Sequence, residues 1–144
     1  MSHEAPRQGI SGCRPILYAD SVSASLRYYS EVLGFNVGFR WSDKKQAFLA
    51  PGTEAEGDEV GFALVFRDSV QLMLSQKGQG HPGMWLHLDV ETPDEVDALY
   101  RQWSQNGARI LEAPDNRPWK NYEMRIADLD GHVLRVASPG KPAA

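Results

Sequence analysis

Two short segments of this sequence place an acid beside a base at a spacing of two residues: His87 with Asp89, and Glu123 with Arg125. In an extended strand residues i and i+2 share a face, so Asp89 can hydrogen-bond His87 and set its tautomer, and Arg125 can neutralise Glu123. His87, Glu123 and Asp89 are also the donors from which a divalent metal site could be assembled, provided the arginines leave the carboxylates free. The indoles of Trp85 and Trp119 offer flat surfaces on which an aromatic or cationic compound could stack, and Arg135 adds a further charge. Proton transfer, metal ligation and simple capture of a small molecule are the chemistries open to these residues. The plainer alternative for His87 is a satisfied, half-buried side chain. Nucleophilic triads and nucleotide binding find no support, because the sequence holds no Gly-x-Ser-x-Gly elbow and no glycine-rich phosphate loop.

The elements that must position these residues come in a repeated order. Asp20 and Ser21 offer a helix N-cap, Val22, Leu26, Tyr29 and Leu33 follow at helical spacing, and Gly34 supplies the stop. Thr92-Pro93-Asp94-Glu95 reads as a capping box with proline at the first helical position, followed by the stripe Val96, Leu99, Tyr100 and Trp103 and the stop Gly107. Extended runs at 14–19 and 85–90 precede the helices. After the first come strands at 35–41, 60–67 and 70–75, and after the second at 108–111, 123–127 and 133–138. Gly34 and Gly107 lie 73 residues apart, and that offset carries Leu26 onto Leu99, so the chain reads as a degenerate duplication. The predicted organisation is a tail over 1–12, a first module over 13–76, a flexible linker over 77–83, a second module over 84–138 and a tail over 139–144. Each half is too small to be comfortable alone, since a unit of about 60 residues buries only about 60% of its unfolded surface.

The 144 residues are 24% charged and 42% hydrophobic, a soluble globular composition. A net charge of −4 with scattered lysines and arginines argues against a nucleic-acid surface. Mild acidity would suit a cationic ligand and equally suits plain solubility. Cys13 is the single cysteine and cannot close an internal disulfide. Residues 1–9 contain no apolar h-region, and no stretch approaches the roughly 18 apolar residues of a membrane span, so a cytoplasmic protein without membrane contact is expected. The acidic segment 51–59, with Glu54, Glu56, Asp58 and Glu59, reads as a solvated, mobile loop.

The run Asp20-Ser21-Val22-Ser23-Ala24-Ser25-Leu26-Arg27-Tyr28-Tyr29, continuing to Val32-Leu33-Gly34-Phe35, and the turn Asp128-Leu129-Asp130-Gly131-His132 resemble the vicinal oxygen chelate superfamily. That superfamily includes glyoxalase I, extradiol dioxygenases, fosfomycin resistance enzymes and bleomycin resistance proteins. The likeness runs over 13–138 and implies an α+β fold: two tandem β-α-β-β-β modules forming a curved mixed sheet with helices on the convex side. It also implies four strand positions that hold a metal in the family's enzymes. Here they carry Cys13, Met73 (or Gln71 in the neighbouring register), Trp85 and Arg135. A thiol and a thioether suit hard cations poorly, indole ligates nothing and guanidinium cannot accept a metal bond. With Arg117-Pro118-Trp119 before Glu123, the chain is similar to the bleomycin-resistance branch, which binds a drug without transforming it, usually as a dimer with exchanged halves.

Leu86, Leu88 and Val90 should face the helices, which leaves Trp85, His87 and Asp89 for the pocket. The expected inward set is then Cys13, Pro15, Leu17, Gln71, Met73, Ser75, Trp85, His87, Asp89, Glu123, Arg125, Val133, Arg135 and Ala137, with Trp119 closing over it. Structural alternatives stay open: Trp85 fills the space of a metal, Arg125 and Arg135 pair with Glu123 and Asp89, Cys13 is a small buried hydrophobe, and His132, His81 and His3 are exposed. The expectation is a homodimeric small-molecule-binding protein without cofactor, related to antibiotic resistance and sequestering an aromatic or cationic compound. A metal-dependent lyase, isomerase or dioxygenase with a divalent ion on relocated ligands is the alternative.

Overall fold

The computed structural model of the chain describes residues 9–53 and 59–141; Glu54, Glu56 and Asp58 of the acidic loop, His3 and the outer parts of both tails lie outside the described residues. Strand β1 (Ile16–Ala19) leads into helix α1 (Val22–Arg27), which continues as a π-helical stretch over Tyr28–Val32. Strands β2 (Asn36–Ser42), β3 (Ala47–Phe48), β4 (Val60–Arg67) and β5 (Val70–Gln76) follow. The second half runs β6 (Trp85–Asp89), α2 (Pro93–Gln105), β7 (Arg109–Asn116), β8 (Asn121–Ala127) and β9 (Val133–Pro139).

The strands form two mixed sheets, ordered β1-β5-β4-β2-β3 and β6-β9-β8-β7. In each, the strand before the helix pairs parallel with the last strand of its half, and the remaining pairs are antiparallel. The two halves therefore share one topology, and the chain has the α+β fold of paired β-α-β-β-β units. Ala47–Phe48 is a strand without a sequence signal, and β7 extends to Asn116 where a stop near Leu111 was expected. The ends of the helices follow their residues. Ser21 Oγ accepts the Ala24 N–H at 3.2 Å, and Gly34 leaves α1's extension at φ +74 and Gly107 leaves α2 at φ +88, a region that glycine enters without cost. Thr92 Oγ1 accepts the Glu95 N–H, while the Glu95 carboxylate accepts the Glu91 N–H and not that of Thr92.

One buried cluster joins both halves. Leu17, Leu72 and Leu74 come from the first sheet, Met124, Ile126, Leu134 and Val136 from the second, and Val22, Leu26, Tyr29, Val96 and Trp103 from the helical segments. Leu17 thus belongs to the core and not to the pocket. It lies beside Leu74 in the β1–β5 register, and both point inward. Hydrogen bonds cross between the halves as well: Tyr28 Oη donates to Ala127 O at 2.6 Å, Tyr29 Oη to Asp128 Oδ2 at 2.8 Å, and Trp103 Nε1 to Leu33 O at 3.1 Å. His132, expected to be exposed, is fully buried. Its Nδ1 accepts the Met84 N–H at 3.0 Å, which leaves the proton on Nε2 to donate to Tyr18 O at 2.7 Å. Burial holds the Asp128 carboxyl above its ordinary pKa despite the Tyr29 hydrogen bond, and burial followed by the Asp128 charge pushes the Tyr29 phenol well above its own. Among the described residues no helix is long and apolar enough to cross a membrane.

Candidate functional site

Because each sheet turns one face to the shared core, its other face points away from that core. The outer face of the second sheet is built in rows. Strand register places His87 beside Arg135, Arg135 beside Arg125 and Arg125 beside Glu112, while Asp89, Ala137, Glu123 and Asp115 form the next row. Leu86 and Leu88 pack against the core, so period two along β6 turns Trp85, His87 and Asp89 outward. Tyr122, Met124 and Ile126 do the same for Glu123 and Arg125 on β8.

Glu123 is the hub of this face. It is 0% exposed, and Arg125 Nε reaches its Oε2 at 3.1 Å while Arg135 Nε reaches its Oε1 at 3.2 Å. Trp119 Nε1 also donates to Oε1 at 3.2 Å. Trp119 comes from the β7–β8 loop, closed by Arg117 N–H to Asn121 O at 2.8 Å, and this hydrogen bond draws its indole back over the sheet. Arg135 Nε–H donates to His87 Nδ1 at 3.1 Å while its charge pairs with Glu123, so His87 carries its proton on Nε2 and donates to Asp89 Oδ1 at 3.0 Å. Each guanidinium also lies over an indole: Arg125 is 5.3 Å from the Trp85 ring centroid and Arg135 5.9 Å from that of Trp119. Glu112 takes Arg117 at 3.1 Å and Arg125 at 3.6 Å. Both arginines therefore pair with Glu123; Asp89 binds His87 and neither arginine. Trp85 and Trp119 remain 57% and 50% exposed.

Cys13, Gln71 and Met73 lie elsewhere. They line a depression of about 520 Å³ with Ser11, Arg14 and Ser69, at the edge of the first sheet's outer face. Cys13 precedes β1 and is exposed, so it is not the buried hydrophobe expected. Among the described residues no hydrogen bond, ion pair or ring contact joins this group to the Glu123 cluster. A larger cleft of about 800 Å³, lined by Leu26, Arg27, Arg40 and Leu49 among others, opens between α1 and β2 and shares no lining residue with either group.

The first sheet's outer face carries Met73 and Ser75 of the expected set, and beside them an aromatic lining that was not expected. One row runs Ile16, Met73, Leu64, Phe39, and the next Tyr18, Ser75, Phe62, Trp41, Phe48. Phe39 stacks on Phe62 at 6.2 Å and meets Phe48 edge-on at 5.4 Å, and Trp41 meets Phe48 at 5.0 Å. The period-two signals Phe39/Trp41 and Phe62/Leu64/Phe66 stand in the sequence. They could have revealed this aromatic surface.

Residues 13–136 match the family model described as the Glyoxalase/Bleomycin resistance protein/Dioxygenase superfamily. No curated protein sequence matches the chain. Among solved structures, TioX from Micromonospora sp. ML1 is 17% identical with a TM-score of 0.67, covering 89% of this chain and 99% of its own. The bleomycin resistance determinant encoded on transposon Tn5 is 20% identical with a TM-score of 0.65, over 90% of this chain and 98% of its own. A bleomycin-binding protein complexed with bleomycin is 21% identical with a TM-score of 0.62, over 90% and 98%. At these identities the likeness is one of fold.

Proposed function

The chain belongs to the glyoxalase/bleomycin resistance protein/dioxygenase superfamily, and on that premise we propose that it captures a flat aromatic small molecule without transforming it. The site would be the charged, tryptophan-bearing outer face of the second sheet, closed by the aromatic outer face of the first sheet of a second copy. The single observation carrying this reading is that Trp85 and Trp119 stand half exposed on either side of a fixed Arg125–Glu123–Arg135 network. Two rigid indoles above a pre-set polar floor are what stacking recognition needs, since little freedom is lost on binding. One chain turns its two outer faces away from a common core, so a concave pocket requires the second copy. The exposed Ile16, Phe48 and Phe66 supply apolar surface for that contact.

The donor set supports capture over metal-assisted chemistry. Cys13, Met73 and Trp85 are poor or null ligands for a hard divalent ion, and Arg135 brings a positive charge to the fourth position. The relocated set fares no better: both Glu123 oxygens are taken by Arg125, Arg135 and Trp119, and His87 spends Nδ1 on Arg135 and Nε2 on Asp89. An antibiotic with fused or linked aromatic rings is the kind of compound such a site would sequester. The test titrates the protein with two dyes of one ring skeleton, uncharged phenylnaphthylamine and anilinonaphthalene sulfonate, and measures sedimentation. Saturable binding of at least one dye, lost in Trp85→Ala and Trp119→Ala, with a dimeric mass is expected. Saturation by neither dye, or near-stoichiometric iron, manganese, nickel or zinc in protein purified without chelator, overturns the proposal.

A further inference from the structure

Resting on that site, we infer that its ligand carries an acidic group, a carboxylate, sulfonate or phosphate, held against Arg125 and Arg135 between the two indoles. The acceptors that touch the guanidiniums are committed: Glu123, fully buried, meets Arg125, Arg135 and Trp119, Glu112 meets Arg117 and Arg125, and His87 Nδ1 receives Arg135. Asp89 and Asp115 each keep one oxygen: Asp89 Oδ1 binds His87 and Asp115 Oδ1 accepts the Asn116 N–H, and among the described residues neither carboxylate pairs with Arg125 or Arg135. The donors are not committed. Arg135 spends only Nε on its protein partners, and Arg125 spends Nε and one terminal nitrogen. Both terminal nitrogens of Arg135 and one of Arg125 make no hydrogen bond or ion pair among the described residues.

Stacking aims these free donors. Each guanidinium is held beside an indole, at 5.3 Å for Arg125 over Trp85 and 5.9 Å for Arg135 over Trp119, and its terminal nitrogens carry the fork that fits an oxyanion. Arg125 and Arg135 are direct partners across the β8–β9 ladder, so their forks open side by side onto one surface. Two like charges placed opposite each other repel; Glu123 is shared between them, and Glu112, which also reaches Arg125, is shared with Arg117, so three guanidiniums meet two carboxylates. An arriving anion would supply the third counter-charge. A cationic ligand would add a further positive charge beside these guanidiniums, whose touching carboxylates are already paired, which reverses the expectation drawn from overall acidity.

The same two dyes test this, because they differ by the sulfonate alone. The sulfonate is expected to bind at least about tenfold tighter than phenylnaphthylamine, a charge-assisted hydrogen bond being the difference, and the ratio should shrink as salt is raised. Arg135→Met and Arg125→Met should bring the ratio close to one, Arg135→Lys should restore part of it, and Arg101→Gln on the outer side of α2 should leave it intact. Taking the ratio within each variant removes any common loss of folded protein. If the uncharged dye binds as tightly as the sulfonate, or the ratio survives in both methionine variants, the acidic-ligand inference fails while aromatic capture stands. If neither dye saturates, both fall.

Discussion

Arg125 and Arg135 face each other across the β8–β9 ladder, and both extend Nε to opposite oxygens of one fully buried carboxylate, Glu123. Glu123 is therefore the group that lets two guanidiniums stand in adjacent positions. Glu123→Gln would turn an amide N–H₂ toward at least one Nε–H, leave Arg135 without a carboxylate partner among the described residues and leave Arg125 only Glu112 at 3.6 Å. Removing one partner of a buried ion pair typically costs about 3–5 kcal/mol. The arginines here retain partial solvent access, 20% and 33% of their side chains, so screening reduces the expected loss to about 2–3 kcal/mol. Urea denaturation of wild type and variant measures it; a midpoint unchanged within error would mean that solvent, not Glu123, balances these charges.

Tyr29 binds the halves through a single hydroxyl. It donates to Asp128 Oδ2 at 2.8 Å from the π-helical stretch of the first half, while Asp128 Oδ1 accepts the N–H groups of Asp130 and His132 in the second. Tyr29→Phe keeps the ring and strands a buried carboxylate oxygen, a change expected to cost about 1–3 kcal/mol. The Asp128 pKa, already raised by burial, should rise further, since this hydrogen bond to the charged form opposes the shift. A carboxyl carbon titration by NMR reads that second effect separately from stability, and a pKa that stays put or falls would refute it.

How far the sequence foresaw this arrangement depends on how local each signal was. The outward turn of Trp85, His87, Asp89, Glu123 and Arg125 was legible because apolar residues alternate cleanly along β6 and β8. The partners chosen by the arginines were not, because Glu123 and Asp89 offered equivalent carboxylates and only strand register decides between them. Leu17 takes the core side because β1 follows its own alternation with Ile16 and Tyr18, which the family position at Cys13 does not reveal. The far end of β7 escaped notice for a different reason: its residues 112–116 are mostly charged or polar, and bulges interrupt its register. His132 was read as a turn residue, and its burial arises from partners at Tyr18 and Met84 that no local window contains.

Those two partners make His132 testable. Replacing it by Phe conserves shape but leaves the Met84 N–H and the Tyr18 carbonyl without a partner at the ends of two strands. The cost should be about 1–3 kcal/mol, and the Met84 amide should exchange with solvent much faster than in wild type. Exchange at the wild-type rate in His132→Phe would show that the ring acts by packing alone.

The last prediction concerns acid. Asp97 on α2 accepts the Tyr122 hydroxyl at 2.6 Å and pairs with Lys141 at 3.3 Å, tying Lys141 and β8 to the helix. The Tyr122 hydrogen bond, with a smaller contribution from Lys141, holds the Asp97 pKa below its ordinary value of 3.8, while burial acts the other way. A carboxyl whose pKa is lower folded than unfolded binds fewer protons in the native state over the interval between the two values, so stability falls as pH drops through it. The contribution is complete above the unfolded pKa and disappears once the pH passes below the folded one. Asp97→Asn removes the titrating group but leaves an acceptor for Tyr122. The difference in Tm between wild type and Asp97→Asn should therefore be constant from neutrality down to about pH 4 and close progressively below it. A difference that stays constant into strong acid would mean that Asp97 is held by shape and hydrogen bonding, with its charge irrelevant.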